Sequence, residues 1–260
     1  MLKLIVNADD FGWTETINHN IIRSHREGIV TSATLLAGGG AFEHAVQLAK
    51  ENPQLAIGAH LAIDDNLNIG KSYKTLTDPE TGHFYDQKTA IRKILSKKFS
   101  HNELVAEYSL QVEKILDAGF ELNHLDHHNH LHKYIPVLKA IIEVAKKYKI
   151  AYIRPQKMIL PHNQNVLKRM YRSFHHRYLE KRHLTLDGFI CLNGCENKKD
   201  MIEKLRQIVN LKKMEVELVV HASNDYDELE FLTHLDAREL AQQYLTTYSE
   251  LFQKKTETVE

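Results

Sequence analysis

The sequence predicts an α/β fold, a single domain in which parallel strands joined by crossover helices close, or nearly close, into a barrel. Three observations carry this. Short apolar, β-branched runs alternate with helical periods along most of the 260 residues, the rhythm of a mostly parallel sheet. The length is that of one such barrel. Residues of metal-binding or acid–base type recur at the ends of the strand runs, the edge at which parallel α/β folds assemble their sites.

The elements follow in order. Residues 2–6 read as a buried strand running into Asp9 and Asp10. Residues 16–27 place Ile17, Ile21 and Ile22 on one helical face, and Gly28 closes the helix. Residues 29–36 form a second strand with Gly38-Gly39-Gly40 as its turn, and a helix over 42–51 stops at Asn52-Pro53. Residues 55–63 give a third strand with His60 near its end. Residues 64–86 lack periodicity and are expected to loop over the mouth of the sheet. A helix over 102–118 gathers Leu104, Val105, Tyr108, Val112 and Leu116 on one side. A strand at 122–125 delivers a histidine-rich run, with a helix over 135–148 behind it. A strand at 150–153 ends at Arg154-Pro155, and 166–182 form a basic helix whose charges are expected on a solvated face. A helix over 202–210, a strand over 216–220 ending at His221, and a helix over 237–253 complete the domain, set at residues 1–253, with 254–260 as a tail.

Composition narrows the function. The apolar fraction, 43%, suits a globular core, and 34 basic residues balance 34 acidic ones, so no global field recruits nucleic acid or an anionic membrane. The apolar run at the N-terminus ends at Asn7 and is too short for a signal peptide, and no segment approaches the roughly 20 apolar residues of a membrane span. A soluble cytoplasmic protein with neither nucleic-acid nor membrane partner is expected. Cys191 and Cys195 stand alone as a C-x3-C pair and read as two ordinary thiols.

The segment His124-Leu125-Asp126-His127-His128-Asn129-His130-Leu131-His132 holds five of the chain's 17 histidines. Imidazole is the commonest protein ligand for a transition metal. One Asp and two His form the minimum set for a catalytic divalent ion with open positions, and Asp10, His60 and His128 are the expected ligands. Two adjacent carboxylates diverge by the pleat, which leaves Asp9 as general base toward an activated water. His221, arriving from the far side, is the expected general acid. Asp126, His127 and His130 are expected to orient ligands or contact substrate, with no role assigned to His124 or His132. Taken singly, each has a structural reading: Asp-Asp as a turn, His60 as a core histidine, His221 as a strand cap, Arg154 as an ion-pair partner. Their joint placement at five strand ends points to a site.

Five motifs in order carry a family resemblance. Ile5-Val6-Asn7-Ala8-Asp9-Asp10-Phe11-Gly12, Gly28-Ile29-Val30-Thr31-Ser32-Ala33-Thr34, Ala56-Ile57-Gly58-Ala59-His60, His124-Leu125-Asp126-His127-His128 and Glu217-Leu218-Val219-Val220-His221 resemble the YdjC-like carbohydrate deacetylases, the family of chitooligosaccharide deacetylase. The resemblance implies a distorted TIM-barrel-like enzyme, often a homodimer, that uses Mg2+ or Zn2+ to remove acetyl from N-acetylglucosamine units of short oligosaccharides. It places Asp10, His60 and His128 at the metal, Asp9 as base, His221 in the last motif and Arg154 near the active site, and with a sugar as substrate Trp13, Phe84 and Tyr85 become candidate stacking rings. The chain departs from the family in two loops: Leu61-Ala62-Ile63-Asp64-Asp65-Asn66 replaces a Thr-containing loop with Gly-x-Pro, and Ala222-Ser223 stands where Pro is common. Two other readings compete, a phosphoesterase using His130 and His132 for further metals, and a non-catalytic metal or sugar sensor that would need neither Asp9 nor His221.

Overall fold

The computed structural model describes residues 1–65, 67–160, 165–222 and 226–257. Asn66 and Ser223 of the two atypical loops, and residues 258–260 of the expected tail, lie outside the described residues. The elements are β1 (Lys3–Phe11), α1 (Glu15–Arg26), β2 (Ser32–Leu35), α2 (Phe42–Lys50), β3 (Ala56–Leu61), α3 (Gln87–Leu95), α4 (His101–Asp117), β4 (His124–His127), a 3-10 segment (His128–Lys133), α5 (Ile135–Lys147), β5 (Tyr152–Ile153), α6 (Val166–Glu180), β6 (Gly188–Cys191), α7 (Lys198–Val209), β7 (Glu215–Val220), α8 (Tyr226–Thr233), α9 (Leu235–Ala241) and α10 (Tyr248–Glu257).

The strands form one sheet in the order β5-β4-β3-β2-β1-β7-β6, and every pairing is parallel. The crossover helices cover its outer face and bury an apolar core that includes Phe11, Ile21, Val112, Leu138 and Leu205. The two outer strands are joined by a thin seam. After β5 the chain passes β6, where Phe189 N–H donates to Lys157 O at 2.9 Å and Ile159 N–H donates to Phe189 O at 2.8 Å. Isolated bridges pair Met158 with Phe189 and Tyr152 with Leu184. The result is the distorted α/β barrel the sequence predicts.

Several elements differ from the sequence reading. The strand β6 and the helices α3 and α8 lie in stretches to which the sequence reading assigns no element. The expected terminal helix is two, α9 and α10. The chain between them runs beside β1, where Leu4 N–H donates to Tyr244 O at 2.8 Å and Thr246 N–H to Leu4 O at 3.0 Å. Pairing with a strand requires extended backbone, so the helical period yields to the sheet edge. The end of β1 also departs from regular pleat. Its register against β2 runs Asn7↔Ser32, Ala8↔Ala33, Phe11↔Leu35, so β1 holds one residue more than its neighbour. Asp10 absorbs this bulge at φ 66°, a left-handed conformation that Asp tolerates better than most residues.

Candidate active site

The four strands β1, β3, β4 and β7, with the short β5, end on one side of the barrel, and each delivers a polar side chain there. The β1 bulge separates the two aspartates, and together with the pleat it gives them different neighbours. Asp10 turns toward β3 and β4: its Oδ1 lies 3.3 Å from His60 Nε2 and 3.1 Å from His128 Nδ1. One ligand atom from each of the three lies within 4.8 Å of the others. Burial raises the Asp10 carboxyl, but hydrogen bonds from His128 and His60 outweigh it and hold the group well below the usual carboxylate range.

His60 is aimed from behind. Its Nδ1–H donates to Asp126 Oδ1 at 2.6 Å, and Thr34 Oγ1 donates to the other oxygen of Asp126 at 2.9 Å. A carboxylate on one imidazole nitrogen fixes the tautomer and leaves the other free to ligate. Burial lowers the His60 pKa, yet the Asp126 carboxylate and then Asp9 raise it well above the ordinary value. On His128 the nitrogen opposite Asp10 lies 3.4 Å from Asp65 Oδ2. The Asn129 amide donates to both Asp64 and Asp65, at 3.0 and 2.9 Å. Burial pushes the Asp64 carboxyl up to about 6.

Asp9 faces the opposite way. Arg154, fully buried, donates from Nη1 to Asp9 Oδ2 at 2.8 Å and from Nη2 to Asp9 Oδ1 at 2.6 Å. The same guanidinium reaches Glu217 through Nε at 3.0 Å and Nη2 at 2.7 Å, and Nη2 lies 2.5 Å from Asp126 Oδ2. Asn7 Nδ2 donates to Asp9 Oδ1 at 3.0 Å, and Tyr248 donates to Glu217 at 2.9 Å. Burial raises the Asp9 carboxyl, but Arg154, then His60, hold it well below the usual range. His221, at the end of β7, has Nε2 3.9 Å from Asp9 Oδ2 with its side chain 44% exposed.

Asp9, Asp10, His60, His128, His130 and His221 share a cavity of about 330 Å³, whose wall also includes Gln87, Asn129, Cys191 and Asn193. Burial pushes the Cys191 thiol up to about 12, which removes it as a nucleophile. Arg154, Asp126 and His127 stand behind the wall. His127 is held between Tyr108 Oη, 2.9 Å from Nε2, and the His128 carbonyl, 2.6 Å from Nδ1, and burial lowers its pKa to about 3. His124 stacks on Tyr248 at 4.0 Å in space that the absence of a side chain at Gly58 provides, since a Cβ there would come within 2.4 Å of the ring. His132 is buried and lies 5.8 Å from His130, ring to ring. Of the candidate sugar-stacking rings, Trp13 packs against His128 at 5.0 Å, Phe84 is in the core and Tyr85 lies under Lys93.

Sequence reasoning misses Glu217, Asn7, Thr34 and Tyr248 as parts of the site. Glu217 and Asn7 carry a signal, a charged and an amide side chain inside otherwise apolar strands that a buried parallel sheet admits only with partners. Tyr248 carries none, because it arrives from a helix remote in sequence.

Two imidazoles and a carboxylate that could hold a divalent ion converge at the strand ends of an α/β barrel, beside a second carboxylate. The family described as YdjC-like protein matches residues 3–253, and this chain belongs to that family. A carbohydrate deacetylase of Brevibacillus brevis is 38% identical over 149 residues, covering 57% of this chain and 58% of the relative. One of Vibrio cholerae is 41% identical over 150 residues, 57% of each chain. The chain therefore matches under two thirds of the length of these curated relatives. Among solved structures, a candidate cellobiose-phosphate cleavage protein of Enterococcus faecalis superposes with a TM-score of 0.76 at 23% identity, over 96% of this chain and 98% of that one. A lactam utilization protein of Thermus thermophilus does so at 0.54 and 17%, over 95% and 99%. Both similarities show the fold.

Proposed function

We propose that this chain is a cytoplasmic, metal-dependent carbohydrate deacetylase that hydrolyses the N-acetyl group of N-acetylglucosamine units in short chitooligosaccharides and releases acetate. The observation that carries this reading is the division of the two aspartates: Asp10 joins His60 and His128, whereas Asp9 is ionised, clamped by Arg154 and open to the same cavity. The names of the curated relatives support the deacetylase reading. The donor set fits a divalent ion, since one carboxylate oxygen and two imidazole nitrogens converge and His60 is already oriented by Asp126; two imidazoles favour zinc over magnesium. When bound, such an ion polarises the acetamide carbonyl and acidifies water.

The chain's own groups perform the remaining steps. Asp9 accepts the water proton at Oδ2, the oxygen that lies 3.9 Å from His221, and Arg154 holds the carboxylate in place from behind. The water oxygen bonds to the acetyl carbon, the carbon–nitrogen bond breaks, and His221 delivers a proton to the departing sugar nitrogen. Acetate and a free amine result.

Two measurements test this. Acetate release from a panel of N-acetylated mono- and disaccharides is expected with the metal-loaded protein, to be abolished by a chelator and restored by a divalent ion; release that survives full metal removal would sink the reading. For His221→Ala, the expected loss of kcat/KM is larger with an N-acetyl sugar than with an activated anilide, whose nitrogen departs without a proton. Equal losses on both substrates would remove His221 from the acid role.

A further inference from the structure

The solvated surface of α6 carries the expected charges, among them Lys168, Arg169 and Arg177, and beside them an apolar stripe. Val166, Leu167, Met170 and Phe174 recur at helical spacing and are 68%, 75%, 63% and 66% exposed. The opposite side of α6 is anchored: His175, His176 and Leu179 are buried, and His175 Nδ1–H donates to Lys133 O at 2.7 Å. The apolar stripe is therefore a fixed feature of the surface. A contiguous exposed patch of this kind marks an interaction site.

Charge selects the occupant. Residues 165–182 hold six cations (Lys168, Arg169, Arg172, Arg177, Lys181 and Arg182) and one anion, Glu180, which the structure pairs with His176. Lys168 and Arg172 line a cleft of about 640 Å³ together with Lys133, Tyr134 and Tyr171. Burial, then the charge of Arg172, lowers the Lys133 pKa, so the cleft crowds cations. A second copy of this chain packed by its own α6 would bring two equally basic helices together. A surface that accepts apolar side chains without a shaped pocket and supplies phosphates to the flanking cations meets both requirements.

We propose that α6 docks the protein on an anionic lipid surface, with Leu167, Met170 and Phe174 entering the acyl boundary and the exposed Lys168 and Arg169 contacting lipid phosphates. This is surface attachment: among the described residues no helix is long and apolar enough to cross a membrane. The site lies beside the cavity, since Arg172 sits over Phe189 at 5.5 Å and Phe189 contacts His130 at 5.6 Å. The inference is independent of the deacetylase reading.

The test is co-sedimentation with vesicles of phosphatidylcholine alone or with about one third phosphatidylglycerol. The whole chain is expected to bind the anionic vesicles, with affinity falling as salt rises, and to leave the neutral ones about tenfold less occupied. The triple variant Leu167→Ser, Met170→Ser, Phe174→Ser, checked for native circular dichroism, should lose about tenfold or more in partition. Arg169→Glu, on an exposed side chain, should weaken binding to anionic vesicles while leaving the neutral ones unchanged. No binding to anionic vesicles, or binding the triple variant retains, overturns the proposal. So does a wild-type dimer in sedimentation equilibrium that the triple variant dissociates, which would make the face a subunit interface. Vesicle binding is read without substrate, so acetate release by the same preparations stands or falls separately.

Discussion

Asp9→Asn should keep its metal and lose roughly 10²–10⁴-fold in turnover, the usual contribution of a general base. Asp10→Asn should lose metal as well as activity. The contrast follows from the bulge in β1, which sends the two side chains to different partners: Asp10 to His60 and His128, Asp9 to Arg154. The Asp9 variant should fold, because Arg154 still faces Glu217 and Asp126 and three carboxylates around one guanidinium become two. Elemental analysis with single-turnover kinetics decides the matter. Equal metal loss in both variants would mean that the pair ligates jointly, and the base role of Asp9 would have to be given up.

Arg154→Met should cost about 3–5 kcal/mol of folding stability, the range for removing one partner from a buried ionic cluster. Methionine fills similar volume, so the loss isolates charge from packing. Asp9, Asp126 and Glu217 would be left within 4% side-chain exposure or less with their shared cation gone. The pH dependence gives a second reading. In the wild type the folded Asp9 pKa is depressed, so its contribution is present above the unfolded value of about 3.9 and is lost as pH falls through the folded one. In the variant, burial acts without Arg154 and raises the folded Asp9 and Glu217 values above the unfolded ones. The folded state then binds more protons, and the deficit should shrink as pH falls below neutrality. Urea titrations of both proteins across that window check it; a deficit constant with pH would show that packing, not charge, is what Arg154 supplies.

The strand ends are legible in the sequence because each reports locally. An apolar run stopping at Asp9-Asp10, at His60 or at His221 is a pattern of neighbours in the chain. Arg154 is legible as a charge after a short strand, but its clamp is not: Asp9, Asp126 and Glu217 lie 145, 28 and 63 residues away in sequence, and only the closed sheet brings them to one guanidinium. The β1 bulge is equally hidden, since it is a mismatch of register between two strands and neither strand shows it alone. The break in the terminal helix is hidden for a related reason, because residues 244–246 answer to Leu4 and not to their own helical period. The exposed stripe on α6 escapes the sequence too, since periodicity states that two faces of a helix differ and not which one meets the protein.

The seam between β5 and β6 gives the barrel two unlike walls. Asp10 and His60 lie on β1 and β3 and His128 directly follows β4; these strands lie in an unbroken run of paired strands through β2. Cys191 and Asn193 follow β6, whose outer edge meets the chain beyond β5 through an isolated bridge between Phe189 and Met158. Local opening concentrates where few hydrogen bonds must break. Amide hydrogens along the β6 edge of the cavity are therefore expected to exchange sooner than those of β1, β3 and β4.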